Sequence, residues 1–362
     1  MLKSNYYISF VVATRNDDHG ENMSNKNQYF IDRWAYLANK FNLSCELIIV
    51  EWNPPEEHPK LIDQLKIPKL NNGQKIKFIT IPNNVHKKFK NSDKLDFFQM
   101  IAKNVGIRKA EGEFILCTNI DIIFSDEIFE FFSKKKLNLK TIYRTDRYDI
   151  DFDKFNKVEI SQNELNHNLT FIHKSNFSLD IKNKKKYFVN VGWGYFFNLV
   201  YKFIKRNFTK NTLINNDNPI NTKKLKKKIN ISKLKHLFSY IKNIYLNKNI
   251  HTNACGDFTL CSKNIWLECG GYYEFEGYSF HIDSLFLWSG YFKKFNFENL
   301  SYRIYHINHK IGSGFSFSDN ELEKRLNKSG IPFIDNYEVT NYINLIKKKQ
   351  NLNSESWGKY YD

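Results

Sequence analysis

The most informative segment of the sequence is NVGIRKAEGEFILCTNID, residues 104–121. A helical pattern ends at a glycine turn, and the apolar run that follows predicts a buried strand that ends beside Asn119 and Asp121. Alternate residues of an extended segment point the same way, so we expect both side chains to face one crevice. Two oxygen ligands at this spacing suit a divalent cation that also binds phosphate. The alternative is an Asx turn at the end of a strand.

Strand and helix patterns alternate through the first 130 residues. Strands are expected at residues 6–13, 45–50, 77–81 and 114–118, and helices at 27–42 and 94–110. This alternation predicts an α/β fold with a doubly wound, mostly parallel sheet flanked by helices. Ligands of such sheets bind at the carboxyl ends of the strands. Residues 140–180 are mixed and polar, which indicates short strands and loops.

The composition is typical of a folded, globular protein. Of the 362 residues, 41% are hydrophobic and 16% are aromatic, which is too apolar for a disordered chain. No apolar run approaches the roughly 20 residues that a membrane span requires, and the sequence opens with a strand pattern rather than a signal peptide. The five cysteines form no Cys-x-x-Cys pair, as in reduced intracellular proteins, so we expect a cytoplasmic location.

The positive charge is concentrated in one part of the chain. The net charge is +17, and residues 182–248 contain 17 Lys and Arg against one acid. This segment divides the chain into a first part (1–181), a basic insertion (182–250) and a return to the same domain (251–362).

Amphipathic helices are expected within the insertion, at residues 195–206 and 231–246. They either rest on the inner face of an anionic membrane, or pack on the protein's own core with their lysines in solvent. Lysine predominates over arginine and no recognition motif is visible, so specific nucleic-acid binding is not expected.

Three segments in the first third of the chain together resemble a known family. Residues 104–121 resemble the N-x-G-x-x-x-A-x-G-E-[YF]-[IL]…D-x-D stretch of family-two-like glycosyltransferases with the GT-A fold. Residues 7–16, YISFVVATRN, resemble the opening strand and T-x-N nucleotide loop of that family. Residues 46–51, ELIIVE, resemble the second strand, which ends in an acid that contacts the nucleotide base.

The resemblance implies a nucleotide-sugar donor and a divalent metal, Mn²⁺ or Mg²⁺, at this edge of the sheet. The sequence departs from the family at Asn119, which replaces the first Asp of D-x-D, so metal binding would depend on Asp121 and another ligand. It departs again at Glu51-Trp52, which replaces Asp-Asp, and Glu51 is alternatively a solvated acid before two prolines. The implied donor-binding residues are Thr14, Arg15, Asn16, Glu51, Asn104, Arg108, Asn119 and Asp121.

The acceptor side of the same resemblance lies in the second half of the chain. Residues 256–274 resemble the segment G-x-F-x-x-x-R…F-x-x-x-G-G-[FY]-x-E, in which paired glycines and aromatic rings suit close contact with a sugar. The implied acceptor-binding residues are Gly256, Asp257, Gly270, Gly271 and Tyr272.

A catalytic base is implied shortly after this segment. Where the family has Glu-Asp at the start of a helix, this chain has His281-Ile282-Asp283. Asp283 is the implied general base, and His281 is an alternative base or a substrate contact. An ordinary residue of a helix N-terminus is the other interpretation of Asp283.

A late strand pattern supplies the remaining metal ligand that the resemblance implies. Residues 301–309 end in His306-x-x-His309, and related transferases often add a late His to the metal site; a structural histidine is the alternative. Arg144 or Arg147 either pairs with donor phosphates or an acidic acceptor, or belongs to a surface group of ion pairs.

The resemblance predicts a metal-dependent glycosyltransferase that moves a sugar from a nucleotide-sugar to a hydroxyl of a glycan or glycolipid. Asp283 as the base implies inversion at the anomeric carbon, and retention is the alternative. Two other classes remain open. One is a non-catalytic protein that binds anionic surfaces or nucleic acid through the basic insertion. The other is a nucleotidyltransferase, although no Gly-rich phosphate loop of the G-x-G-x-R type follows the first strand.

Overall fold

The first half of the chain forms the parallel part of a central sheet. The computed structural model describes residues 4–17, 22–188, 250–308, 321–335 and 338–360. The first elements are β1 (Tyr6–Thr14), α1 (Met23–Lys40), β2 (Cys45–Trp52), α2 (Leu61–Gln64), β3 (Gln74–Ile81), α3 (Asn83–His86), α4 (Gln99–Lys109) and β4 (Gly112–Thr118). The four strands pair in parallel in the order β3-β2-β1-β4, so their carboxyl ends lie along one edge.

Helices cover both faces of this sheet because β1 is apolar on both faces. Phe10 and Val12 belong to the core that includes α1, whereas Val11 and Ala13 belong to the core that includes α4. A Cβ on Gly106 of α4 would lie 2.5 Å from Val11 Cγ1, so this glycine permits the close approach of helix and strand. The predicted α/β class is confirmed, and the arrangement is consistent with a GT-A-like fold.

The second half of the chain completes the same sheet. Its elements are β5 (Ile122–Phe124), α5 (Asp126–Ser133), β6 (Thr141–Ile150), α6 (Gln162–Asn166), β7 (Leu169–His173), β8 (Phe177–Asp180), β9 (Lys185–Phe188), β10 (Phe258–Ser262), α7 (Lys263–Cys269), α8 (Ile282–Phe292), β11 (Asn296–Ile307), α9 (Glu321–Lys328) and α10 (Glu338–Lys347). β10 lies between β4 and β6 and is antiparallel to both. β11 is parallel to β6, and the longest pairings of the sheet are all parallel.

Two elements differ from the sequence prediction. α4 begins at Gln99 rather than near residue 94, because Asn91 has a left-handed backbone (φ 62°) and turns occupy the residues that follow it. β6 is a ten-residue strand where short strands and loops were expected. It tolerates the buried Arg144 because the guanidinium donates to the backbone carbonyls of His251, Asn253 and Cys255.

Several sequence predictions lie outside the described residues. These are the two amphipathic helices, nearly all of the basic insertion, and His309. Within the described ranges, no helix combines the length and the apolar character needed to cross a bilayer.

Candidate functional site

Asp121 and His306 are brought together at the carboxyl edge of the sheet. β11 pairs antiparallel with β5, with His306 opposite Ile122, and the Ile307 amide donates to the Asp121 carbonyl at 2.9 Å. His306 Nε2 therefore lies 3.3 Å from Asp121 Oδ2. Burial lowers the pKa of His306, but the carboxylates of Asp121 and Asp149 more than compensate and raise it to about 10. The imidazole is cationic in this arrangement.

Asp149 faces the other ring nitrogen of His306. It is opposite His306 in the β6–β11 pairing, and its Oδ1 lies 3.5 Å from His306 Nδ1. Its carboxylate also contacts Arg147 Nε at 2.8 Å and His173 Nε2 at 3.0 Å. Burial raises the pKa of Asp149, but Arg147 and His173 hold it well below its ordinary value. A carboxylate behind a histidine is the usual support of a metal-binding imidazole.

Asn119, directly after β4, is bound by the protein on both ends of its amide. Oδ1 accepts from Lys103 Nζ at 2.6 Å and from Gln99 Nε2 at 3.1 Å. Nδ2 donates to Asp257 Oδ1 at 2.5 Å, and Asp257 Oδ2 accepts from Arg147 Nη1 at 2.6 Å. A continuous polar network therefore connects α4, the end of β4, the start of β10 and β6.

The predicted catalytic residue Asp283 lies beside the turn that precedes β10. It is the second residue of α8, and its Oδ1 accepts from the Ser284 amide at 2.8 Å. A Cβ on Gly256 would lie 3.1 Å from Asp283 Oδ2, so the absence of a side chain at 256 leaves space for this carboxylate. Burial and the nearby Asp283 hold the pKa of the Cys255 thiol well above its ordinary value. His281 precedes α8 in a left-handed conformation (φ 64°).

The predicted nucleotide end of the site lies at the carboxyl ends of β1 and β2. Glu51 is buried, and its carboxylate accepts from Asn16 Nδ2, Thr80 Oγ1 and the Leu61 amide. Asn16 has a left-handed backbone (φ 63°). Glu51 thus fixes the loop after β1 and the start of α2, and it is not a solvated acid.

Arg15 and Thr14, next to this loop, differ in whether their polar atoms have partners within the protein. Arg15 pairs with Asp17 at 2.6 Å. The Thr14 hydroxyl is buried and has no hydrogen-bond partner in the described part of the chain. A buried, unsatisfied hydroxyl at a strand end is available to a ligand.

The remaining predicted residues form a separate cluster with the C-terminal segment. Asn104 donates to the Tyr272 carbonyl and accepts from the Tyr272 amide, at 2.8 and 2.9 Å. Arg108 donates to the Trp357 carbonyl and lies 3.8 Å from the centre of its ring. Gly270 ends α7 and Gly271 packs on Trp357. These contacts connect α4 to the acceptor-side segment, and a ligand-binding role for the cluster stays a prediction.

Sequence reasoning missed three residues of the network and left one open. Lys103 is fully buried, Asp149 and His173 are nearly so, and each contributes a charge or ring to the site. Arg147, which was one of two candidates for a phosphate contact, instead pairs with two carboxylates. Only Lys103 could have been suspected from the sequence, because it lies among apolar residues in the helix that leads into the segment 104–121.

A metal ion at this edge of the sheet would have two protein ligands, Asp121 and His306. In the described ranges, no group of three or more His, Cys, Asp or Glu side chains is arranged to hold a metal ion. Asp121 and His306 fit a cation such as Mn²⁺ or Mg²⁺ that takes its other ligands from diphosphate oxygens and water. The carboxylate behind His306 agrees with such a site.

Comparison with known proteins finds matches among solved structures but none by sequence. No family model and no curated protein matches the sequence. Among solved structures, the crystal structure of S. aureus TarS 1-349 is similar, with a TM-score of 0.40 and 12% identity. The match covers 83% of this chain and 60% of the TarS chain, so this protein spans less than two thirds of its neighbour. A similarity at this level bears on neither function nor site residues.

Proposed function

We propose that this protein is a glycosyltransferase that moves a sugar from a nucleotide-sugar donor to a hydroxyl of a glycan or glycolipid. The observation that carries the proposal is the convergence of distant segments at the carboxyl end of β4. Asp121, Asp257 and His306 belong to three separate motifs of the sequence resemblance, and charged contacts through Arg147 and Asp149 connect them. Asp283 borders the same network beside Gly256.

The proposed division of roles follows from the positions of the carboxylates. Asp283 accepts the proton of the acceptor hydroxyl, so that the oxygen attacks the anomeric carbon while the bond to the nucleoside diphosphate breaks. Asp121 and His306 would hold the divalent metal, which when bound stabilises the negative charge of the diphosphate. Asp149 keeps the His306 ring in the orientation that this requires.

The nucleotide is proposed to bind across the ends of β1 and β2. The unsatisfied Thr14 hydroxyl and the Asn16 loop line this end, and Glu51 fixes the loop from behind. A single attack by the acceptor oxygen, deprotonated by one base, on the face opposite the leaving group predicts inversion at the anomeric carbon. The anomeric configuration of the product, measured by NMR, tests this part of the proposal separately.

The test begins with the donor. UDP-, GDP-, CMP- and TDP-sugars are screened for thermal stabilisation of the protein, with and without Mn²⁺. We expect one class to raise the melting temperature in a metal-dependent way, and we expect Asp121→Ala to abolish the metal-dependent part.

Asp283→Asn supplies the matched variant. It should bind the donor as the wild type does, but lower transfer by about two orders of magnitude or more. Stabilisation by no nucleotide-sugar, or wild-type transfer by Asp283→Asn, would contradict the proposal. If His281→Ala is the damaging change instead, the base has been assigned to the wrong residue.

A further inference from the structure

The amide of Asn119 has only one orientation compatible with its neighbours. A lysine ammonium only donates hydrogen bonds and a carboxylate only accepts them. Lys103, at 2.6 Å, therefore requires the Asn119 oxygen, and Asp257, at 2.5 Å, requires the Asn119 nitrogen. The family's aspartate at position 119 would satisfy Lys103 but would place a carboxylate oxygen against Asp257 Oδ1.

Asp257 is equally constrained. Asn119 donates to its Oδ1 and Arg147 donates to its Oδ2. An amide at position 257 has one oxygen and could accept from only one of these donors, leaving its nitrogen against the other. The carboxylate is thus required here as long as position 119 is an asparagine.

Asn119 and Asp257 connect the donor side of the site, at the end of β4, to the acceptor side, at the turn before β10. Lys103 donates to the Gly256 carbonyl at 2.9 Å as well as to Asn119, and the Thr118 hydroxyl donates to the Asp257 carbonyl at 2.7 Å. The turn beside Asp283 is therefore fastened to the end of β4, two residues from Asp121. Displacement of the pair would move the acceptor side relative to the donor side.

We propose that Asn119 and Asp257 form an exchanged pair, in which residue 257 supplies the carboxylate and Asn119 supplies the amide as a positioning residue rather than a metal ligand. The functional part of this inference rests on the proposed transferase activity. The exchange itself concerns hydrogen bonding and is measurable without turnover.

The exchange predicts that the two residues can be swapped together but not singly. In Asn119→Asp/Asp257→Asn, the new carboxylate accepts from Lys103, Gln99 and the new amide, and the new amide oxygen accepts from Arg147. Every donor keeps an acceptor. Each single variant leaves either two carboxylate oxygens or two donors in contact, at a buried site where such a mismatch is costly.

Thermal unfolding is the first measurement. We expect Asn119→Asp and Asp257→Asn each to lower the melting temperature by about 2–4 °C, and the double variant to recover most of that loss. Asn341→Asp, on an exposed position of α10, is the control for added charge and should leave the melting temperature unchanged. Losses that simply add in the double variant would overturn the exchange.

Mn²⁺ binding, followed by electron paramagnetic resonance, separates a positioning role from a ligand role. A metal ligand at position 119 would bind Mn²⁺ more tightly as aspartate than as asparagine. We expect no gain in Asn119→Asp, whether or not the wild type binds Mn²⁺ without nucleotide; a gain would overturn the proposal.

Transfer kinetics give the third measurement, with kcat/KM lowered about tenfold or more in each single variant and restored in the double. A double variant that is stable but inactive would overturn the positioning role. A wild type with no transfer activity would instead refute the proposed function, and the first two measurements would still decide the exchange.

Discussion

Gly256→Ala should move the proposed base without changing its chemistry. The added Cβ would lie 3.1 Å from Asp283 Oδ2 and 3.5 Å from Met100 Cε, while ordinary contacts begin at 3.4 Å. Both neighbours are ends of side chains, so the backbone need not shift. Asp283 must yield, although its Oδ1 also accepts a hydrogen bond from the Ser284 amide at 2.8 Å.

The size of the effect follows from this distance. Relief of the contact requires a displacement of about 0.3–0.5 Å, and misplacement of a reacting group by 1 Å costs about 100-fold in rate. If the logarithm of the rate falls in proportion to displacement, Gly256→Ala lowers kcat about 4- to 10-fold, or about 1 kcal/mol in barrier height. Folding should be affected far less, with a melting temperature within about 3 °C of the wild type.

Initial rates measured against acceptor at saturating donor, and against donor at saturating acceptor, test this prediction. We expect a lower kcat with an unchanged KM for the donor. Gly330→Ala is the matched control, since Gly330 has a positive φ (62°) and its nearest atom within 4 Å is Lys94 Nζ at 3.9 Å. That variant should lose some stability and no activity. A folded Gly256→Ala enzyme with wild-type kcat would refute the placement of the base beside residue 256.

Three further predictions concern groups outside the reacting atoms. Lys103→Met leaves the buried Gly256 carbonyl without its donor and should cost about 1–3 kcal/mol in the free energy of unfolding, measured by urea titration against Lys94→Met. Arg108→Ala removes the stacking on Trp357 and should speed limited proteolysis of the C-terminal segment, whereas an unchanged cleavage rate would contradict this. Burial lowers the pKa of His251 to about 4, despite Asp146, against about 6.5 in the unfolded chain. Between pH 6.5 and pH 4 the folded state binds fewer protons than the unfolded chain. The contribution of the neutral His251 to the free energy of unfolding is therefore complete above pH 6.5, and about 3 kcal/mol is lost as the pH falls towards 4. His251→Gln should flatten that slope in unfolding measured across the window.

The fold was predictable because its parallel half depends on local patterns. The apolar runs that predicted strands became β1 to β4, and the helical spacing at residues 27–42 became α1, with its start at Met23. β6 was not predictable in the same way. Its Arg144 and Arg147 look like surface residues in the sequence, and only carbonyls and carboxylates supplied by distant segments make their burial possible.

The site was predictable only where a residue belongs to a motif. The resemblance paired Asp121 with either His306 or His309, and the structure places His306 Nε2 3.3 Å from Asp121 Oδ2. Asp149 and His173 had no motif, because their roles arise from the register between β6, β7 and β11. Register is set by pairing across the sheet, which residue spacing within one segment does not encode.

The positive charges at this edge of the sheet are of two kinds: the charge of Arg147 is permanent, whereas the charge of His306 is a proton that a metal ion can replace. Asp257 and Asp149 are held by the guanidinium of Arg147, which keeps its proton under all ordinary conditions. The cation in contact with Asp121 is instead the His306 imidazole, whose positive charge is a removable proton. A divalent metal binds only the neutral imidazole, so it would enter as that proton leaves and would keep Asp121 next to positive charge. The permanent charge of Arg147 therefore holds Asp149 and Asp257 in place, and the replaceable charge of His306 lies where the proposed donor diphosphate would bind.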